Sequence, residues 1–270
     1  MGTAEEGERM DWSKTKTIFI IVFLILDCFL VYQFMEKRNS SQLDVILETT
    51  IEEQLEANGI TYVELPKEVT KAAYVSGKSR VFTAADTKKL SAQKAKIEEG
   101  ETKLKGTFLH PIALNVSDPY QLREFLRRYI LDGEQYALWS FDEGEGTVIC
   151  YQVYEGKMIY GNENSKLIIH VNKQQKAVSY EQTMLDDLEK YERKQDIVPA
   201  IKALETLYRK GHLQPGDRVT KVELGYYGLV QFTASQVLTP TWHIVVNRKE
   251  DYFVNAFEGQ VITDEGSVLE

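Results

Sequence analysis

The sequence predicts an α+β protein: a single N-terminal transmembrane helix, then an extracytoplasmic domain of repeated helix-plus-antiparallel-sheet units. Three observations carry this reading. Residues 17–35 are almost wholly apolar, close to the roughly 20 residues a helix needs to cross a bilayer core. Beyond them, an amphipathic helical pattern is twice followed by short strand-like runs separated by Gly and Asn turns. The hydrophobic share, 43%, and the charged share, 27%, are those of a chain that buries a core.

The apolar segment comes first. Every residue from Ile18 to Leu26 is apolar, and after Asp27 the run continues through Cys28-Phe-Leu-Val-Tyr-Gln-Phe to Met35. Trp12 before it, and Tyr32 and Phe34 near its end, suit the two membrane interfaces. A cleaved signal peptide is the competing reading. It calls for small residues at a cleavage site, whereas this segment ends Tyr-Gln-Phe-Met-Glu-Lys-Arg. Lys14 and Lys16 precede the span and no domain lies ahead of it, so the N-terminus is placed in the cytoplasm and the C-terminal domain outside. Residues 1–16 are then a cytoplasmic stub, 17–35 the span and 36–42 a polar juxtamembrane segment. No role is assigned to Met1–Arg9.

Residues 43–115 read as a first α+β unit. Leu43, Ile46, Leu47, Ile51 and Leu55 follow the helical repeat, and Asn58-Gly59 stops it. Short apolar runs follow at Tyr62–Leu65, Ala73–Val75 and Arg80–Thr83. Asp86–Lys105 is rich in Lys and Glu and reads as an exposed helix or mobile stretch. Residues 116–263 form a second α+β region with an internal helix-meander repeat. Asp118 caps a helix, Pro119 occupies its first turn, and Leu122, Phe125, Leu126, Tyr129 and Ile130 form one apolar face. Strands are expected at Tyr136–Phe141, Thr147–Tyr154, Lys157–Tyr160, Lys166–Val171 and Ala177–Gln182. The pattern then recurs. Helices are expected at Met184–Arg193 and about 198–210, and strands at Val219–Tyr227, Leu229–Thr233, Thr241–Asn247, Tyr252–Phe257 and Val261-Ile262. Residues 264–270 are a tail.

Charge narrows the function. The chain holds 32 basic and 41 acidic residues, net −9. With three basic and six acidic residues in 1–36, the remainder carries 29 and 35. A nucleic-acid binder would be basic, so that class is set aside. Of the two cysteines, Cys28 lies in the span. Cys150, in the strand-like Val-Ile-Cys-Tyr, reads as a small buried hydrophobe.

No motif of chemistry survives inspection. His110, His170, His212 and His243 lack a second ligand at metal spacing and read as structural or solvent-facing. Gly144-Glu145-Gly146 lacks the third glycine of a nucleotide loop and reads as a hairpin turn. Asp186-Asp187 and Glu98-Glu99 read as solvated pairs on helix surfaces. The chain is therefore expected to have no catalytic, cofactor-binding or metal-binding residues, and no cofactor. Asp27 is the exception to a bland reading. A carboxylate mid-span costs roughly 2.5–3.5 kcal/mol on insertion scales, and polar groups in spans commonly sit between helices. Ile20, Phe23, Leu24, Asp27, Leu30, Val31 and Phe34 recur at three- and four-residue steps, and form a candidate face for a partner helix.

One resemblance adds to this. Met10-Asp-Trp-Ser-Lys-Thr-Lys-Thr-Ile-Phe-Ile, continuing through Leu26-Asp27 and Phe29-Leu30 to Gln33-Phe34, resembles the N-terminus of the YycI family. The ending Trp242-His-Ile-Val-Val-Asn, with Tyr252-Phe-Val-Asn-Ala-Phe-Glu-Gly-Gln-Val-Ile, also fits, so the likeness covers residues 10–263. It implies a YycI/YycH-like domain with PepSY-like elements, anchored outside a Gram-positive cell. It further implies a non-enzymatic regulator that, with a YycH-type protein, modulates the essential WalK/YycG sensor histidine kinase of cell-wall metabolism. Much of the kinase contact would lie in the transmembrane helices. Two other classes stay open: a PepSY-like binding or inhibitory module acting on a protease or cell-wall component, and a membrane-anchored wall enzyme. The latter needs a nucleophile, metal set or carboxylate pair that the sequence does not display.

Overall fold

A computed structural model of the chain describes residues 16–17, 19–33, 50–67, 69–98, 100–231 and 235–262. The chain divides into two compact units, Met1–Gln54 and Leu55–Glu270. In the first, residues 19–33 form a continuous helix, α1. Next along the chain is α2, Ile51–Ala57. Gly59, at φ +66°, gives the left-handed turn that the sequence places after it. The expected helical residues 43–49 lie outside the described residues.

The second unit is sheet-dominated. Its N-terminal part supplies β1 (Thr61–Tyr62), β2 (Lys71–Ala72), β3 (Val75–Ser79), α3 (Ala84–Lys89), β4 (Gln93–Glu98) and β5 (Lys103–Ala113). The helix α4 (Pro119–Tyr129) follows, then β6 (Tyr136–Asp142), β7 (Thr147–Tyr154), β8 (Lys157–Tyr160), β9 (Lys166–Val171) and β10 (Lys176–Gln182). The remainder is β11 (Leu185–Lys190), β12 (Gln195–Asp196), α5 (Ala200–Arg209), β13 (Arg218–Gln231), β14 (Gln236–Val246), β15 (Glu250–Asn255) and β16 (Val261–Ile262).

Fourteen of these strands join in one continuous sheet, ordered β11-β3-β14-β13-β8-β7-β9-β10-β5-β4, with β1 beside β13, β15 and β16 beyond β14, and β6 beside β7. Most neighbours are antiparallel. β13 runs parallel to both β1 and β8, a connection that requires the long crossover containing β9–β11 and α5. The α4 start follows the expected chemistry: Asp118 Oδ1 accepts from the backbone N–H of Tyr120 and Gln121. Leu122, Phe125 and Leu126 of α4 pack with Val148, Cys150, Leu167, Ile169 and Tyr180 of the sheet. On α5, Ala203, Leu204 and Leu207 are fully buried.

Several expectations need correction. Met184–Arg193 is not a helix, since Leu185–Lys190 is β11, paired antiparallel with β3. A bulge between Asp186 and Glu189, with Asp187 at φ +50°, shifts the strand's phase. Leu185 and Leu188 therefore reach the same core cluster. Their spacing of three imitates a helical repeat, but a bulge produces it. Asp86–Lys105 is neither one helix nor loose: it holds the end of α3, all of β4 and the start of β5. The lysines of β4 mask its alternation, in which Ala95 and Ile97 pack inward while Lys94 and Lys96 face water. Lysine on an edge strand deters pairing with other chains. Val219–Tyr227 and the residues after it are one strand, β13, carried past Gly228 by a second irregularity. Thr233 lies outside the described residues. Arg80–Thr83 is a connection between β3 and α3, and the run at Tyr62–Leu65 is extended only over β1.

Candidate interaction surface

Helix α1 carries six of the seven residues expected to face a partner: Ile20, Phe23, Leu24, Asp27, Leu30 and Val31. Phe34 lies outside the described residues. At 100° per residue these six fall within an arc of about 120°. The helix is bare on this face, with Ile20 66% and Leu24 61% exposed, and also behind it, with Ile21 52% and Ile25 62% exposed. A helix apolar all round but for Asp27 and Gln33 is unstable in water and calls for lipid, a partner or both. Among the described residues no helix is long and apolar enough to cross a membrane. Residues 19–33 span roughly 22 Å as a helix, against a hydrocarbon core of about 30 Å.

In the second unit, a polar cluster lies under aromatic rings where β8, β13, β14 and β15 meet. His243 on β14 is 2% exposed. Its Nε2 lies 2.6 Å from Asp251 Oδ1, and its Nδ1 lies 3.3 Å from Glu223 Oε1. The imidazole thus bridges the carboxylates of Asp251 and Glu223. Tyr160 Oη donates to Glu223 at 2.7 Å, and Lys221 Nζ lies 2.7 Å from the same carboxylate. The rings of Trp139, Tyr160 and Phe253 sit 5.1, 4.8 and 5.2 Å from the imidazole. Gly225 makes room for this arrangement, because a Cβ there would fall 2.2 Å from Tyr160 Cε2. The sequence shows four isolated histidines; the sheet register places Glu223 directly opposite His243. His243 is thus a buried residue of the structural kind, one of the two roles expected of the histidines.

Partial burial pushes the Glu223 carboxyl up, but hydrogen bonds from His243, Lys221 and Tyr160 outweigh it and hold it at about 2. Burial, reinforced by the neighbouring Glu223, pushes the Tyr160 phenol up, so it remains a donor. A folded value below the unfolded one of 4.5 gives stability that is present above pH 4.5 and fades as pH falls towards 2. Acid unfolding should therefore be less steep for Glu223→Gln than for the parent in that window. Equal slopes in urea titrations at pH 5, 4 and 3 would contradict this.

A second charged cluster centres on Arg80. Its guanidinium lies 2.6 Å from Asp132, 3.3 Å from Asp86 and 3.7 Å from Asp186, with its Cζ 5.6 Å from the Phe82 ring centre. Asp86 also closes a capping box with Thr83 at the start of α3. Asp186 and Asp187 keep their contact with water, as expected, but not on a helix: they lie on β11, turned to Arg80 and to Lys78 respectively. Glu98 lies on β4, paired with Lys96, and Glu99 lies outside the described residues. Cys150 is fully buried, and burial pushes its thiol up to about 12, as befits an inert core residue. Among the described residues no group of three or more His, Cys, Asp or Glu side chains is placed to hold a metal ion.

Comparison with known proteins places the fold in context. The solved structures similar to this chain include an uncharacterized protein from Eubacterium rectale ATCC 33656, 9% identical, TM-score 0.43, covering 75% of this chain and 89% of that one. YycH from Bacillus subtilis is 11% identical, TM-score 0.40, covering 73% of this chain and 52% of its own length. The Bacillus megaterium YpeB C-terminal domain is 10% identical, TM-score 0.41, covering 83% and 97%. No curated protein matches the sequence. The family model for the YycI protein matches residues 40–257, most of the chain and nearly all of the sheet-bearing unit. The chain belongs to the YycI family.

Proposed function

We propose that this chain is a non-enzymatic, membrane-anchored regulatory protein. With a YycH-type partner it modulates a WalK/YycG-type sensor histidine kinase, through contacts in the membrane and outside it. Residues 17–35 form the single span, with the N-terminus cytoplasmic and the large unit extracellular. The observation that carries this reading is α1 itself: apolar side chains exposed on every side, with one carboxylate, Asp27, among them. Such a helix is built for lipid, and the carboxylate gives it a reason to meet another helix. Membership of the YycI family supports this choice of partners.

The test is co-purification from membranes. The tagged chain should recover the kinase and the YycH-type protein, and protease added to intact protoplasts should digest the large unit. Loss of both partners from the purified complex, or full protection of that unit, would overturn the assignment.

A further inference from the structure

An open groove of about 760 Å³ runs between α4 and the adjoining ends of β5 and β10. Its apolar lining comes from Ile112, Phe125 and Tyr129, and Tyr120, 73% exposed, stands at its side. Two cations line it, Arg128 and Lys176. Among the described residues neither is in an ion pair; Arg128 lies over the Tyr129 ring at 5.4 Å. Glu124 is the acid in the lining, and it is engaged by Arg127 at 2.8 Å. Just outside the lining, Asp118 accepts from Gln121 and Glu143 accepts from Gln175, both at 2.7 Å. In a chain of net charge −9, the lining itself holds two cations against one acid.

We propose that this groove receives an extended, acidic segment of a protein partner, with carboxylates meeting Arg128 and Lys176 and an apolar side chain lying on Ile112 and Tyr129. Charge complementarity selects the occupant, since cations left unpaired beside an apolar floor favour a chain that alternates the two chemistries. The lining sets Asn115, Gln121, Gln174 and Gln175 beside its apolar residues, and these amides suit the backbone of an extended chain. Tyr120 is an exposed aromatic of the kind that anchors interfaces. The inference concerns the extracytoplasmic unit alone and stands whichever proteins α1 meets.

The probe is a fluorescein-labelled peptide of alternating Glu and Val, with Lys-for-Glu and Gln-for-Glu counterparts, titrated by anisotropy against the full chain in nanodiscs. The Glu peptide should bind. Arg128→Glu with Lys176→Glu should weaken it about tenfold or more, roughly 1.4 kcal/mol per decade. Raising the salt should weaken it several-fold. Tyr120→Ala should weaken it without altering its salt dependence, and parallel melting curves will show that each variant is folded. Absence of binding, equal binding of the Lys peptide, or indifference to the double reversal would overturn the proposal. If the Glu peptide fails and the same reversals abolish binding to phosphatidylglycerol vesicles, the groove is a membrane contact and the proposal falls. If they instead abolish self-association in sedimentation, the occupant is a second copy and the proposal falls likewise.

Discussion

Arg80→Met should lower the unfolding free energy by about 2–4 kcal/mol. Removing one member of a buried pair costs about 3–5 kcal/mol, because the partner stays desolvated and unpaired. Here the Asp86 side chain is 9% exposed, while those of Asp132 and Asp186 are 38% and 46% exposed. Water relieves the latter two, which reduces the cost. The loss is still large because three carboxylates converge on one cation, and without it they repel one another. They also come from separate elements: the start of α3, the turn after α4, and β11. Arg80→Lys keeps the charge but cannot fork between Asp132 and Asp86, so it should fall between parent and Met variant. Urea unfolding of the full chain in detergent at pH 7 measures this. A loss below about 0.5 kcal/mol for Arg80→Met would mean that the cluster is no more than a surface pair.

The second large effect concerns α1. Lipid and leucine are equally apolar, so a helix in a bilayer gains little by merely meeting another, and association rests on packing and on polar bonds. Asp27 can supply such a bond, and measured cases average about 0.6 kcal/mol and reach about 1.7. Asp27→Leu should therefore reduce partner recovery a few-fold to about tenfold, with insertion intact. Leu24→Trp should do more, because a bulky ring prevents close approach across the whole face. The same change at Ile21 or Ile25, outside the arc, should do little. Pull-down of the kinase and of the second anchored subunit at matched expression reads all four. If an unrelated apolar helix in place of residues 17–35 leaves recovery unchanged, the contact lies in the large unit instead.

Much of the fold is legible in the sequence where local chemistry decides it. Asp118 and Pro119 announce α4, and glycine or asparagine turns bound β7, β8 and β9 at the residues where those strands begin and end. Legibility fails where structure depends on distant pairing. β4 is a strand because β5 lies beside it, and its lysines conceal the inward alternation. β11 looks helical because a bulge spaces its two leucines three apart. The His243 cluster is assembled by register: Glu223 stands across β13, Asp251 reaches in diagonally from β15, and Tyr160 arrives on β8. No spacing in the chain announces those meetings. Helix α1 is the opposite case, since its candidate face is read from sequence period alone.

The pairing of β13 and β14 has a consequence for how the chain is made. Thr61 meets Arg218, and Val75 meets Leu238, so early strands depend on partners from the far end of the chain. Synthesis delivers residues in order, at roughly 5–20 per second. During that interval β1 and the β14-facing edge of β3 have no native neighbour, and closing such long loops slows folding. The nascent segment before α4 is therefore the part most open to proteases and to mispairing.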